Sequence, residues 1–161
     1  MADWSAQATV LGATLKARGY TLALAESCTG GMVAQAITSV AGSSAWFDRG
    51  FVTYSNAAKV EMLGVSKQTL AQFGAVSEQT AAEMALGALS NSHADIAGSI
   101  TGIAGPDGGT PEKPVGTVCF AWVGHDYAIK TATQSFKGDR TQIRQQATQF
   151  LMASLLTTLN N

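Results

Sequence analysis

A hydroxyl- and glycine-rich segment near the N-terminus has the residue types of an anion-binding turn. Glu26-Ser27-Cys28-Thr29-Gly30-Gly31 follows the short apolar run 20–25 and precedes a helical pattern of apolar residues at Val33, Ala36, Ile37 and Val40. A strand-to-helix turn of this kind directs hydroxyls and backbone N–H groups to one place, and the helix dipole favours an anion there. The Walker A order and the Gly-x-Gly-x-x-Gly order are both missing. We expect a ligand-binding turn, with an ordinary capped helix as the alternative.

A second glycine-rich loop follows another predicted strand. Residues 101–109 read Thr-Gly-Ile-Ala-Gly-Pro-Asp-Gly-Gly and come directly after the apolar run 95–100. In α/β proteins, ligands bind in the loops beyond the carboxyl ends of strands. We expect the two loops to converge on a pocket for a phosphorylated small molecule. The alternative is a surface loop, although three prolines would stiffen it.

The nucleophile of such a pocket could be one of two serines. Ser44 lies in a polar turn before a predicted strand that ends at Tyr54, and Lys59 lies in the helix after that strand. A lysine can act as general base for a serine when burial lowers its pKa well below ~10. Ser27 is the alternative nucleophile, because a strand-to-helix turn also resembles a nucleophile elbow. Neither histidine stands in a triad order with a serine, and Lys59 could equally be a solvated helix residue.

Other side chains support more than one interpretation. Arg140 and Arg144 begin the last predicted helix, where they could contact a phosphate or a carboxylate, or pair with Asp139 or with another subunit. Glu26 could face a cationic ring or accept hydrogen bonds from its own turn. We expect Cys28 to be a small buried residue. No Cys, His, Asp or Glu spacing indicates a metal, so the sequence predicts neither metal nor cofactor.

The order of the elements predicts an α/β fold. Helices alternate with strands in the first two thirds, and residues 115–136 form a probable antiparallel hairpin around Gly124-His125-Asp126. We therefore expect a single three-layer domain over residues 1–161: a mixed β-sheet covered by helices, with a C-terminal β-hairpin followed by a final helix. The expected helix boundaries are the stop signals Gly19 and Gly64 and the caps Asn56, Ser66, Ser77 and Asp139, the last with Gln142 in a capping box.

The composition limits the possible partners. Charged residues make up 13% of the chain against roughly 25% in an average globular protein. So few charges favour a homo-oligomer, and a dimer is expected. The net charge is −1 and no Lys/Arg run occurs, which argues against nucleic acid. No apolar stretch reaches the ~20 residues of a membrane span, and no signal peptide is recognisable, so we expect a cytoplasmic protein.

Several motifs resemble one known family, the CinA C-terminal-domain family, and within it the stand-alone nicotinamide-nucleotide amidases. The resemblance runs in order over nearly the whole chain. It is carried by the segments 25–31, 42–47, 52–56 with Lys59, 74–77, 101–109, 113–118 and 138–140.

The resemblance implies a reaction and roles for the candidate residues. The reaction is hydrolysis of nicotinamide mononucleotide to nicotinate mononucleotide and ammonia in pyridine nucleotide salvage, by a Ser–Lys mechanism without metal. Ser44 is assigned as the leading nucleophile, with Lys59 as its base and Tyr54 assisting. Substrate contacts are expected from Ser27 and from Glu26, Thr29, Gly30, Gly31, Thr101, Gly102, Gly105 and Arg140. A nucleotide-binding regulatory domain without catalysis is the alternative.

Overall fold

A mixed five-stranded sheet forms the centre of the computed structural model, which describes residues 4–161. In chain order the strands are β1 (Leu22–Glu26), β2 (Phe47–Val52), β3 (Ile96–Gly102), β4 (Thr117–Gly124) and β5 (Tyr127–Ser135). The spatial order is β2-β1-β3-β4-β5. β1 is parallel to both β2 and β3, whereas β4 and β5 are antiparallel, so the predicted mixed sheet and late hairpin are confirmed.

Among the described residues, six α-helices connect and cover the strands. They are α1 (Ser5–Arg18), α2 (Met32–Thr38), α3 (Asn56–Leu63), α4 (Lys67–Phe73), α5 (Glu78–Ser90) and α6 (Arg140–Leu159), with one 3₁₀ turn at Ser43–Ala45. Within the described part of the chain, no helix combines the length and the apolar character needed to span a bilayer.

Most of the predicted helix boundaries are confirmed, because they depend on local chemistry. Gly19 and Gly64 end α1 and α3 in the left-handed conformation, and Asp139 forms the predicted capping box of α6. Ser66 and Ser77 cap α4 and α5 with their hydroxyls. Two details differ. Ser55, not Asn56, caps α3, and the strand that was expected to end at Tyr54 runs from Phe47 to Val52.

The sheet separates two apolar cores, which confirms the three-layer prediction. One core joins the sheet to α1, α2 and α6, and includes Leu24 and Phe120. The other joins the sheet to α5 and the end of α3, and includes Ala97 and Met84. Alternate residues of β1, β3 and β4 face opposite cores, as the pleat of a strand requires.

Two features of this fold bring the candidate residues together. The carboxyl ends of the three parallel strands share one edge of the sheet, so the segments after β1, β2 and β3 meet there. α3 follows β2 and lies close to α5. A Cβ atom on Gly87 of α5 would be 2.1 Å from the carbonyl oxygen of Leu63. Only glycine allows this approach, which holds α3 and its Lys59 over the sheet edge.

Candidate active site

Ser27 and Lys59 form a buried hydrogen-bonded pair at the carboxyl edge of the sheet. Ser27 is the first residue after β1, and its N–H donates to the carbonyl of Ile100 on β3 at 3.0 Å. Its Oγ lies 3.0 Å from Nζ of Lys59. Ser27 is 8% exposed and Lys59 only 1%. A nucleophile-type side chain is therefore in contact with an amine that is shielded from water.

The surroundings of Lys59 favour its neutral form. Nζ also donates to the carbonyl oxygens of Thr53 at 2.9 Å and Tyr54 at 3.2 Å. Among residues 4–161 Lys59 forms no salt bridge. Burial lowers the pKa of Lys59 below its usual 10.5. A neutral amine has two N–H bonds and one lone pair, so with both carbonyls bound its lone pair can accept the proton of the Ser27 hydroxyl.

Glu26 holds the turn that presents Ser27. Its buried carboxylate accepts hydrogen bonds from the hydroxyl of Thr29 at 2.7 Å and from the N–H groups of Gly31, Val33 and Ala34 at 3.2, 3.0 and 2.9 Å. These are the donors at the N-terminus of α2. An anion supplied by the chain itself therefore occupies the place where the sequence predicted a ligand.

Cys28 is not a thiolate at neutral pH. It is 7% exposed, and burial raises the pKa of its thiol to about 12. The expectation that Cys28 is a buried small residue is confirmed. Cys28 also borders the cavity described next.

A cavity of about 270 Å³ opens beside Ser27 and Lys59. It lies between the turn after β1, the start of α3, the segment before α5 and the loop after β3. Its lining consists of Ser27, Cys28, Tyr54, Asn56, Lys59, Ala75, Val76, Arg140, Asp107 and residues 101–105.

Arg140 and Tyr54 stand at the mouth of this cavity. The Arg140 guanidinium donates to the carbonyl of Gly105 at 2.7 Å and to the Tyr54 hydroxyl at 3.3 Å. Tyr54 is 62% exposed, so its ring is at the rim while its carbonyl faces Lys59 inside. The mouth therefore carries one cation that is held by neutral oxygen atoms.

Comparisons with known proteins identify the family of this chain. The CinA C-terminal domain matches residues 5–159. The chain belongs to the CinA C-terminal domain family.

Two relatives carry the name nicotinamide-nucleotide amidohydrolase PncC. The Enterobacter agglomerans protein is 62% identical over 146 residues, covering 91% of this chain and 89% of the relative, and the Escherichia coli K12 protein is 59% identical over 145 residues, covering 90% and 88%. The crystal structure of the competence/damage inducible protein CihA from Agrobacterium tumefaciens has a TM-score of 0.96 and 44% identity, covering 100% of this chain and 98% of that one.

In this CinA C-terminal domain the predicted pair of Ser44 and Lys59 is not formed, which corrects the sequence-based assignment. Ser44 is an exposed residue of the 3₁₀ turn before β2. The N–H of Leu22, at the start of β1, bonds the carbonyl of Trp46, so this turn lies at the amino edge of the sheet. Ser27 and Lys59 lie at the carboxyl edge. The five residues of β1 separate the two edges by roughly 17 Å.

Four residues of the turn that were expected to contact the substrate do not line this cavity. Glu26 and Thr29 are buried and bonded to each other, and neither lines the cavity. Gly30 and Gly31 lie outside the cavity lining as well. Both have positive φ, so their glycine character serves the bend of the chain into α2.

The predicted residues of the second loop do line the cavity. The hydroxyl of Thr101 donates to the carbonyl of Ala75 at 2.8 Å, so it ties this loop to the segment before α5. A Cβ on Gly102 would lie 2.8 Å from a methyl of Val118, and one on Gly105 would lie 2.4 Å from a methyl of Val115. The two glycines therefore allow the loop to pack closely on its own protein.

Sequence reasoning did not assign three parts of the lining. Asn56, the segment 75–76 and Asp107 all face the cavity. Asn56 was expected to cap a helix, so its place in the cavity lining was not predicted. Asp107 lies in a loop already selected for its glycines, and its charge was the available signal. Within residues 4–161 no group of three His, Cys, Asp or Glu side chains could hold a metal ion.

Proposed function

We propose that this domain hydrolyses the amide of nicotinamide mononucleotide to nicotinate mononucleotide and ammonia, with Ser27 as nucleophile and Lys59 as general base. The observation that carries the proposal is the 3.0 Å contact between Ser27 Oγ and Lys59 Nζ in a buried pair at the cavity. The amidohydrolase name of relatives about 60% identical supports the choice of substrate.

The geometry supports a two-stage mechanism that needs no metal. Ser27 Oγ attacks the amide carbon while neutral Lys59 accepts the hydroxyl proton. The tetrahedral intermediate then collapses, the C–N bond breaks, and the Lys59 ammonium returns the proton to the leaving nitrogen, which departs as ammonia. In the second stage Lys59 deprotonates a water that attacks the acyl-Ser27 ester. The bond between the acyl carbon and Ser27 Oγ then breaks, the Lys59 ammonium returns the proton to Ser27 Oγ, and the carboxylic acid product is released and ionises.

The oxyanion that forms in both stages must be stabilised by hydrogen-bond donors that are not already bonded to another protein group. Among residues 4–161 the N–H groups of Cys28 and Thr29 donate to no backbone carbonyl and to no side chain of another residue. Cys28 directly follows the nucleophile and borders the cavity. We assign its N–H as the first oxyanion donor, because the residue after the nucleophile has this role in nucleophile elbows. Such a donor contributes about 10²–10³ in rate.

The nucleotide is proposed to extend from the turn towards the cavity mouth. Thr101, Gly102 and Gly105 would border its ribose, and the Arg140 guanidinium is the cation available for the phosphate at the rim. Asp107 gives the same cavity a negative charge, suited to the cationic pyridinium ring. Tyr54 would position the substrate through the contact of its hydroxyl with Arg140.

The test is ammonia release from nicotinamide, its riboside, its mononucleotide and NAD, without added metal. We expect turnover of the mononucleotide, loss of activity in Ser27→Ala and Lys59→Ala, and wild-type activity in Ser44→Ala, the matched serine at the opposite edge. Activity in Ser27→Ala together with an inactive Ser44→Ala would overturn the mechanism. Thermal stabilisation by the mononucleotide without turnover would instead indicate the regulatory alternative.

We also propose that the domain acts as a homodimer in the cytoplasm. The low charge content supports an additional covered surface, and two buried cysteines that form no disulfide suit a reducing compartment. A net charge of −1 accords with a small-molecule partner in place of nucleic acid. Light scattering on the purified chain should give twice the mass of one chain.

A further inference from the structure

We propose that Arg144 is a positioning residue for Ser27, holding the turn after β1 by its carbonyl groups so that the N–H of Cys28, at the cavity, serves the oxyanion. This inference rests on the proposed hydrolase mechanism and extends it to a residue outside the cavity lining.

The contacts of Arg144 are directed at the backbone of the nucleophile turn. Its Nε donates to the carbonyl of Cys28 at 3.0 Å, and its Nη2 donates to the carbonyl of Thr29 at 2.9 Å. The planar guanidinium therefore binds two successive carbonyls in a geometry that a lysine cannot reproduce. The neighbouring residues Ile143 and Ala147 are buried in the core, so α6 is a rigid base for this contact.

Glu26 and Arg144 hold the same turn from its two polar sides. Glu26 accepts from the hydroxyl of Thr29 and from N–H groups at the start of α2, whereas Arg144 donates to carbonyls just before them. Between these contacts, the N–H groups of Cys28 and Thr29 are left without a protein acceptor in the described chain. Because the Glu26 carboxylate and the Arg144 guanidinium both bind this turn, its N–H groups have little freedom to change direction.

The charge of Arg144 acts on the same peptide groups. In the part of the chain that the structure describes, Arg144 forms no salt bridge, so no carboxylate neutralises its guanidinium. Arg144 donates to the carbonyls of Cys28 and Thr29, which places a positive charge beside the turn that contains the Cys28 N–H. A fixed positive charge near a developing oxyanion stabilises that oxyanion. The same charge opposes the effect of burial on the pKa of the Cys28 thiol, so its field reaches the turn.

The experiment compares Arg144→Lys and Arg144→Ala with the wild type and with Arg18→Ala. Arg18 is an exposed arginine that donates to the Tyr127 hydroxyl, and it controls for the general loss of an arginine. Three quantities are measured: kcat and KM for ammonia release, restoration of kcat by added guanidinium ion, and the rate at which a fluorophosphonate labels Ser27, followed by mass spectrometry. Circular dichroism melting gives the folded fraction of each variant.

We expect Arg144→Ala to lower kcat about 100-fold with KM unchanged, because a small displacement of the reacting groups has an effect of that order. Guanidinium ion should restore part of the lost kcat in Arg144→Ala and leave Arg18→Ala unaffected. Arg144→Lys should lie between the wild type and Arg144→Ala. Fluorophosphonate labelling of Ser27 should slow in the same order, since that reaction also forms an oxyanion.

The inference is overturned if Arg144→Ala raises KM alone, if its lost activity only follows its lost folded fraction, or if Ser27 labels at the wild-type rate. Failure of the proposed function looks different. In that case the wild type releases no ammonia from the mononucleotide, while the labelling rate of Ser27 still reports on Arg144.

Discussion

Among single residues, Lys59 combines nearly complete burial with the lack of a salt bridge within residues 4–161. A lysine paired with a carboxylate keeps its proton, whereas Lys59 bonds two carbonyls and a serine hydroxyl. Burial accordingly lowers the pKa of Lys59. The proposed general base is thus prepared by its surroundings before any substrate binds.

This environment leads to a defined pH dependence. Lys59 must be neutral to accept the Ser27 proton, so kcat/KM should rise with pH through the pKa of Lys59. Because that pKa is lowered, the midpoint should lie below 10.5. Ammonia release measured across the neutral to alkaline range tests this.

The matched variant is Lys59→Arg, whose guanidinium stays protonated over the same range. It should lose about 10²–10⁴ in rate, the usual contribution of a general base, and show no alkaline rise. A profile of Lys59→Arg that still rises with the wild-type midpoint would assign the titrating group to another residue.

At the scale of elements, the connection from β1 to α2 shows that a turn with the features of an anion-binding site can bind a carboxylate of its own chain. The turn has the hydroxyls, glycines and helix N-terminus of an anion site, and an anion does bind there, the carboxylate of Glu26. The sequence left two interpretations of Glu26 open, contact with a cationic ring or acceptance of hydrogen bonds from its own turn, and the second is observed. The choice between them depends on the side-chain direction at the end of β1, which the sequence does not give.

Glu26→Gln should destabilise the protein by about 2–4 kcal/mol, because the amide brings donors to a place that already contains four of them. Urea unfolding followed by circular dichroism measures the change in the free energy of unfolding. Glu61→Gln, an exposed glutamate of α3, is the control and should stay within about 0.5 kcal/mol of the wild type. Equal stabilities of the two variants would contradict the capping role of Glu26.

The helices and strands were largely predictable, whereas the long-range contact between Ser27 and Lys59 was not. Caps such as Gly19 and Asp139 act within a few residues, so the sequence indicates them directly. Ser44 was assigned as the leading nucleophile together with the family resemblance, and Ser27 was the alternative. In a parallel pair, the segment before one strand and the segment after its neighbour lie at opposite edges. Strand direction, which periodicity does not give, therefore determines which of the two serines lies beside Lys59.

At the scale of the whole molecule, each of the two cores contains one of the two cysteines. Cys28 belongs to the core shared with α1, α2 and α6, and Cys119 belongs to the core shared with α5. Both thiols are unpaired and buried, and burial raises the pKa of each. Since a thiolate is the reactive form, each thiol is protected by exclusion of water and by protonation. Their reactivity therefore reports the opening of the layer that covers them.

Whether the two layers open together can be measured with these thiols. A single sheet that supports both cores should unfold in one transition, as small domains usually do. We expect no labelling of the native protein by iodoacetamide at neutral pH. In urea, Cys28 should label in the variant Cys119→Ala at the same denaturant concentration at which Cys119 labels in Cys28→Ala. The competing possibility is that α5 and the loop beside β5 open first, because Cys119 also borders a surface cavity there. Labelling of Cys119 well below the global unfolding midpoint, with Cys28 still protected, would show that the α5 layer separates from the sheet while the Ser27 turn stays folded.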